Sequence, residues 1–132
     1  MLLVNANADI VNWSALGGKK VACILGTTGH MQALDWQSTL TPPPVLITVH
    51  SPYTLTEALI TGELDAVILD HVTAREVRSN TEAIQILPEM ITDEPYVVAA
   101  RMDDNALIEA IDALFESLVE DGTLQALQQK WM

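Results

Sequence analysis

"KVACILGTTGH", residues 20–30, holds the choice of fold. It opens with an unbroken apolar run and passes through glycine and two threonines into residues with helical spacing. A continuous apolar run reads as a strand buried on both faces, as in a parallel sheet. Helical spacing follows in "TGHMQALDW" (28–36), through Met31, Ala33 and Leu34. A strand that turns straight into a helix is half of a β-α-β unit.

The flanks repeat the alternation. "TPPP" (41–44) breaks the chain, because successive prolines continue neither helix nor ladder. "VLITVH" (45–50) is β-branched and predicts a strand. "SPYTLTEALITG" (51–62) predicts a helix with Ser51 as cap, Pro52 in the first turn and Gly62 as its end. "DAVILD" (65–70) predicts a further strand, and "HVTAREVRS" (71–79) a short helix with Arg75 and Arg78 outward. The β-α-β-α-β order over 20–70 implies parallel strands, right-handed crossovers and helices on both faces. Strands are also expected at 2–5, 83–87 and 96–100. After these, "DDNALIEAIDALFESLVEDG" (103–122) places Leu107, Ile108, Ile111, Leu114, Phe115, Leu118 and Val119 on one helical stripe. Asp103 or Asp104 is expected to cap it and Gly122 to stop it, with Thr123 capping a last helix that carries Leu124, Leu127 and Trp131.

Bulk composition narrows the function. The chain has 132 residues, 49% of them hydrophobic, which suits one globular domain with a substantial core. Its formal charge of −12 repels nucleic acid and anionic membranes, so nucleic acid is not an expected partner. The single cysteine, Cys23, lies in an apolar run and reads as a buried, inert thiol. No apolar stretch approaches the ~20 residues of a membrane span. "MLLVNANADI" has no basic n-region and no long apolar core, so it does not read as a signal peptide.

Two strand ends carry chemistry. Ligands of parallel α/β sheets sit beyond the carboxyl ends of the strands. Gly26, Thr27 and Thr28 stand at such an end and at a helix start, where N–H groups favour an anion; the plain alternative is a helix cap. Asp70 stands at another strand end. It is either the N-cap of the next helix or the partner of a cation. Side by side, the two would receive a zwitterion such as an α-amino acid. His30, His50 and His71 lack metal-ligand spacing. With no nucleophile elbow, phosphate loop or catalytic carboxylate pair, neither an enzyme nor a metal or cofactor is expected.

The blocks "LGGKKVACILGTTGH" (16–30), "YTLTEALITGELDAVILD" (53–70) and "TDEPYVVAARMDDNALIEAIDALFESLVEDGTLQALQQKW" (92–131) together resemble the second half of a bacterial extracellular solute-binding protein. This is the family that serves amino-acid ABC importers. The resemblance implies an α/β, parallel-sheet lobe of the type II periplasmic-binding-protein fold with a C-terminal helical extension. It implies one domain over 1–132, divided into a lobe-two-like region (1–100) with hinge-like strands at 2–5 and 96–100, and helices at 101–132. Gly26, Thr27 and Thr28 would then hold a ligand carboxylate and Asp70 its ammonium group, and an ABC permease is an implied partner. Relatives of this family are periplasmic or extracellular; the location of this chain is left open. Some relatives of the fold are dehydratases or carry transglycosylase domains, but no catalytic constellation accompanies the resemblance here. The family's first-lobe segment has no counterpart in these residues, and it normally supplies the carboxylate-binding arginine. Weak binding of an amino-acid-like ligand is therefore expected. The alternative is an interaction protein, a homodimer joined through the helical stripe or the former cleft and hinge surface.

Overall fold

The computed structural model describes residues 1–52, 54–93 and 95–131. They form two compact units, Met1–Asp93 and Glu94–Met132.

The first unit is built on a five-stranded sheet. In chain order it comprises β1 (Leu2–Asn5), β2 (Lys20–Ile24), α1 (Thr28–Thr39), β3 (Val45–Val49), α2 (Leu55–Thr61), β4 (Ala66–Ile68), α3 (His71–Asn80) and β5 (Ile84–Ile86). The strand order is β3-β2-β4-β1-β5. β2 pairs in parallel with both β3 and β4, as the β-α-β-α-β pattern requires. β1 runs antiparallel to β4 and to β5, so the sheet is mixed rather than wholly parallel. Asp65 holds the register of β2 against β4. Its N–H donates to the Lys20 carbonyl (3.0 Å), and its carboxylate accepts the Lys20 N–H (2.8 Å).

Alternation along the strands divides the core between the faces. Leu2, Val4, Val21, Cys23, Ala66 and Ile68 point to one face, where Ala33 and Trp36 of α1 cover them. Trp13, in a 3-10 turn over Trp13–Leu16, stacks on Trp36 with ring centroids 5.7 Å apart. Leu3, Ala22 and Val67 point to the other face, under Leu55 and Leu59 of α2 and Ala74 of α3. Helices therefore cover both faces, and each fully buried aliphatic side chain contributes about 1.5–3 kcal/mol. β3 lies at the sheet edge, so Leu46, Ile47 and Val49 are only half-buried.

Three local expectations are corrected. α2 begins at Leu55, not at 51, because the Leu55 N–H closes a turn on the Pro52 carbonyl (3.1 Å) and Ser51 caps nothing; position 53 of that expected helix lies outside the described residues. Gly62 does end α2, in the left-handed conformation (φ 78°). Residues 96–100 form no strand. Tyr96, Val97 and Val98 are exposed and find no ladder partner among the described residues. β-branched residues favour strands only where a half-buried pleated surface exists to receive them. At the helical end, Asp104 occupies the N-cap position of α4 (Asn105–Glu120) without a side-chain cap bond. α5 spans Thr123–Trp131, and it is Asp121, not Thr123, whose side chain accepts the exposed N–H there (2.8 Å).

α1 approaches β4 so closely that a Cβ at Gly29 would lie 2.5 Å from Cγ2 of Ile68. Gly29→Ala should therefore destabilise the protein. Overpacking of about 1–3 kcal/mol outweighs the roughly 1 kcal/mol that alanine gains over glycine in a helix. Urea unfolding measures the difference. Adding Ile68→Leu, which has no Cγ2, should recover part of it, and an unchanged midpoint in the single variant would refute the contact.

Candidate functional site

Parallel pairing brings the expected site residues to one rim. Cys23 of β2 is in register with Ile68 of β4, so the chain leaves both strands side by side. Gly26, Thr27 and Thr28 follow β2, and Asp70 follows β4. Gly29 against Ile68 sets the start of α1 over the end of β4.

The loop after β2 is a worked cap. Gly26 is left-handed (φ 82°), a turn that other residues adopt at a cost. Thr27 is the N-cap of α1. Its hydroxyl donates to the Ile24 carbonyl (2.8 Å) and accepts the His30 N–H (3.2 Å), while its own N–H also reaches Ile24 (3.3 Å). Thr27 is thus occupied in holding the turn. Thr28 differs: its hydroxyl and N–H, and the N–H of Gly29, have no partner among the described residues, as the first turn of a helix leaves them. The two threonines that look alike in the sequence divide the work, one building the loop and the other facing outward with donors to spare.

Asp70 is the N-cap of α3, its Oδ1 accepting the Thr73 N–H at 3.0 Å. Burial pushes its carboxyl up, but hydrogen bonds from the Thr73 side chain and from the Thr73 and Val72 backbone outweigh this and leave it below the ordinary carboxylate range. Capping uses part of a group with about four lone-pair positions, and the residue is exposed. The cap reading and the cation-partner reading are therefore compatible.

The histidines add what the spacing did not reveal. Nδ1 of His30 accepts the Gly26 N–H (3.3 Å), and Nε2 of His71 accepts Nε–H of Arg75 (2.8 Å). His50 directly follows β3. All three histidines of the chain therefore lie at the carboxyl ends of neighbouring parallel strands. Among the described residues no group of three His, Cys, Asp or Glu side chains is placed to hold a metal. The signal for His30 was its place four residues after the loop glycine. Only the folded turn brings its ring back onto that glycine.

The cap at Asp70 yields a pH-dependent outcome. Asp70→Ala should cost about 0.5–2 kcal/mol of stability at neutral pH, and Asp70→Asn much less. Because the folded-state pKa is depressed, the wild-type advantage is present above the unfolded-state value and disappears as pH falls through the folded one. Thermal unfolding of both variants from pH 7 to pH 2.5 measures this, and a difference that persists undiminished at the acid end would refute it.

No family model matches the chain. It is 28% identical over 117 residues to the L-cystine-binding protein TcyJ of Escherichia coli strain K12, covering 88% of this chain and 42% of that protein. It is 25% identical over 132 residues to the ABC transporter glutamine-binding protein GlnH of Bacillus subtilis, covering 99% of this chain and 47% of that one. Among solved structures, an ancestral arginine-binding protein bound to arginine superposes with a TM-score of 0.74 at 27% identity, over 99% of this chain and 58% of that chain. The chain spans about half the length of the curated relatives it matches. These relatives and structural neighbours are amino-acid-binding proteins, several of them named for ABC transporters, and the chain shares their type II periplasmic-binding-protein fold; over 79 residues it is also 32% identical to the membrane-bound lytic murein transglycosylase F of Klebsiella pneumoniae, covering 59% of this chain and 16% of that protein.

Proposed function

We propose that this chain binds an amino-acid-like solute at the rim after β2 and β4, without chemistry, in the service of an ABC importer whose permease is its partner. The observation that carries the reading is the pairing of unlike receptors on adjacent strand ends. Spare donors of Thr28 and Gly29 suit a carboxylate, and the Asp70 carboxylate suits an ammonium group. The amino-acid ligands named for its relatives support the zwitterion as the ligand class. Gly26 and Thr27 enter as the turn that aims those donors.

Affinity in this chain is weak on this reading. Arg75 donates to His71 and Arg78 to the Thr81 carbonyl (3.0 Å), and on this reading no guanidinium gives the ligand carboxylate the charge-assisted bonds that arginine offers. Each such bond contributes about 1.5–3 kcal/mol. An exposed ligand is also screened by water. Binding of order millimolar, worth about 4 kcal/mol, is the expected outcome. NMR titration with L-glutamine and L-arginine tests it. Amide shifts should appear at Thr28, Gly29 and the residues around Asp70. Asp70→Asn, which keeps the cap but not the charge, should abolish them while the protein stays folded. Amides that remain still at tens of millimolar ligand would refute the proposal.

One observation favours a second reading, self-association through the helices. α4 buries none of its residues, and Leu114, Phe115, Val119 and Trp131 are exposed at 40–67%. Contiguous apolar surface of this kind marks interaction sites. Sedimentation at increasing concentration should give a dimer mass that Phe115→Glu reduces to the monomer. A monomer at several hundred micromolar would refute this reading.

A further inference from the structure

We infer that the free edge of β3 docks a second copy of this chain: the two β3 strands pair antiparallel about Ile47 and join two five-stranded sheets into one. This edge is apart from the binding rim, and it is the rival of α4 and α5 as the surface of self-association.

A sheet of order β3-β2-β4-β1-β5 has β3 and β5 at its edges. On β3 the Val45 N–H donates to the Lys19 carbonyl (2.8 Å), and the Val49 carbonyl accepts the Leu25 N–H (2.8 Å). Alternation along the parallel ladder therefore turns Val45, Ile47 and Val49 toward β2. The N–H and C=O groups of Leu46 and Thr48 face outward and have no partner among the described residues. The side chains are as unfinished as the backbone. Leu46 is half-buried against the core layer under α1, and Ile47 and Val49 against the layer under α2 and α3. Val45 is 53% exposed. One more strand would extend both layers and bond the outward groups. Nothing along β3 blunts the edge: its register with β2 is continuous, and it holds no charge, proline or glycine. β5 is the contrast. It has three residues, stops just before Leu87 and Pro88, and lies between Glu82 and Glu89.

Charge selects the occupant. Two chains of formal charge −12 repel each other, and they dock at least cost where neither is charged. Between Asp35 and Glu57 there is no Asp, Glu, Lys or Arg, the longest such interval in the sequence, and β3 lies at its middle. A charged partner strand gains nothing from such an edge, whereas an identical uncharged strand loses nothing. The geometry also suits self-pairing. A two-fold axis at Ile47 sets Leu46 of one copy opposite Thr48 of the other, so the outward groups of each exchange both hydrogen bonds of an antiparallel pair. The antiparallel sense points the carboxyl ends of the two β3 strands in opposite directions. The two binding rims then open at opposite ends, and neither covers the other.

Hydrogen exchange followed by NMR on the full chain reads this edge directly. In dilute protein the Val45 and Ile47 amides should be protected and those of Leu46 and Thr48 open. At several hundred micromolar, Leu46 and Thr48 exchange should slow about tenfold once about nine-tenths of the chains are paired, and sedimentation should give the dimer mass. Thr48→Pro removes an outward donor and no bond to β2, so it should fold as wild type and remain a monomer. Thr48→Lys, a charge of the kind that blunts edge strands, should weaken the dimer too and covers the case in which proline disturbs β3. Phe115→Glu decides between the two surfaces: the dimer survives it if β3 is the interface and dissolves if the helices are. A dimer that survives Phe115→Glu and is lost in the Thr48 variants would support the proposal. A monomer at several hundred micromolar would overturn it. So would association that Phe115→Glu abolishes, or that leaves the Leu46 and Thr48 amides open.

Discussion

The parallel pairing of β2 with β4 is the constraint on which the rest depends. It is buried on both faces, by Cys23 and Ile68 under α1 and by Ala22 and Val67 under α2 and α3. A one-residue slip would exchange these faces and put every side chain against the wrong helix. Asp65 guards against the slip with two bonds to the Lys20 backbone at one end of the pair. The close seat of Gly29 on Ile68 fixes the other end. With the register held, two chain reversals are delivered to one rim, and the chemistry there follows.

That chemistry comes from incomplete capping. A helix start leaves more N–H groups than its own cap can satisfy. Thr27 and His30 satisfy some of those around α1, and Thr28 and Gly29 keep theirs. The α3 start is the complement, since its cap is a carboxylate held ionised by the N–H groups it receives. One structural device, used at adjacent strands with a hydroxyl in one case and a carboxylate in the other, leaves free N–H groups at one strand end and a carboxylate at the next. No side chain has to be buried at cost to do so, and among the described residues no buried side-chain polar atom lacks a partner.

Glu94–Met132 obeys a different rule. α4 and α5 are joined at Gly122, whose left-handed conformation (φ 76°) lets the chain turn between them. Leu107, Leu114, Phe115 and Val119 of the α4 stripe are exposed. The acidic residues Glu109, Asp112, Glu116 and Glu120 share that helix and keep it solvated. Helix formation here was decided by periodicity, and the absence of a buried face was not visible in it.

Periodicity, punctuation and composition by themselves determined the α/β class, the parallel run of β2, β3 and β4, the helices on both faces and the candidate rim. These are local signals: an apolar run buried twice over, a glycine that ends a helix, a hydroxyl or carboxylate where a strand stops. What only the tertiary structure decided depends on partners distant in the chain. β1 entered the sheet antiparallel, between β4 and β5, and residues 96–100, which also read as a strand, formed none. Thr27 and Thr28 are the same residue in the sequence and different in the fold, because the turn points one hydroxyl inward to Ile24 and leaves the other outside. His30 became part of the loop for the same reason: a helical turn carries its ring back over Gly26, and hydrogen bonds are set by where groups arrive rather than by what they are.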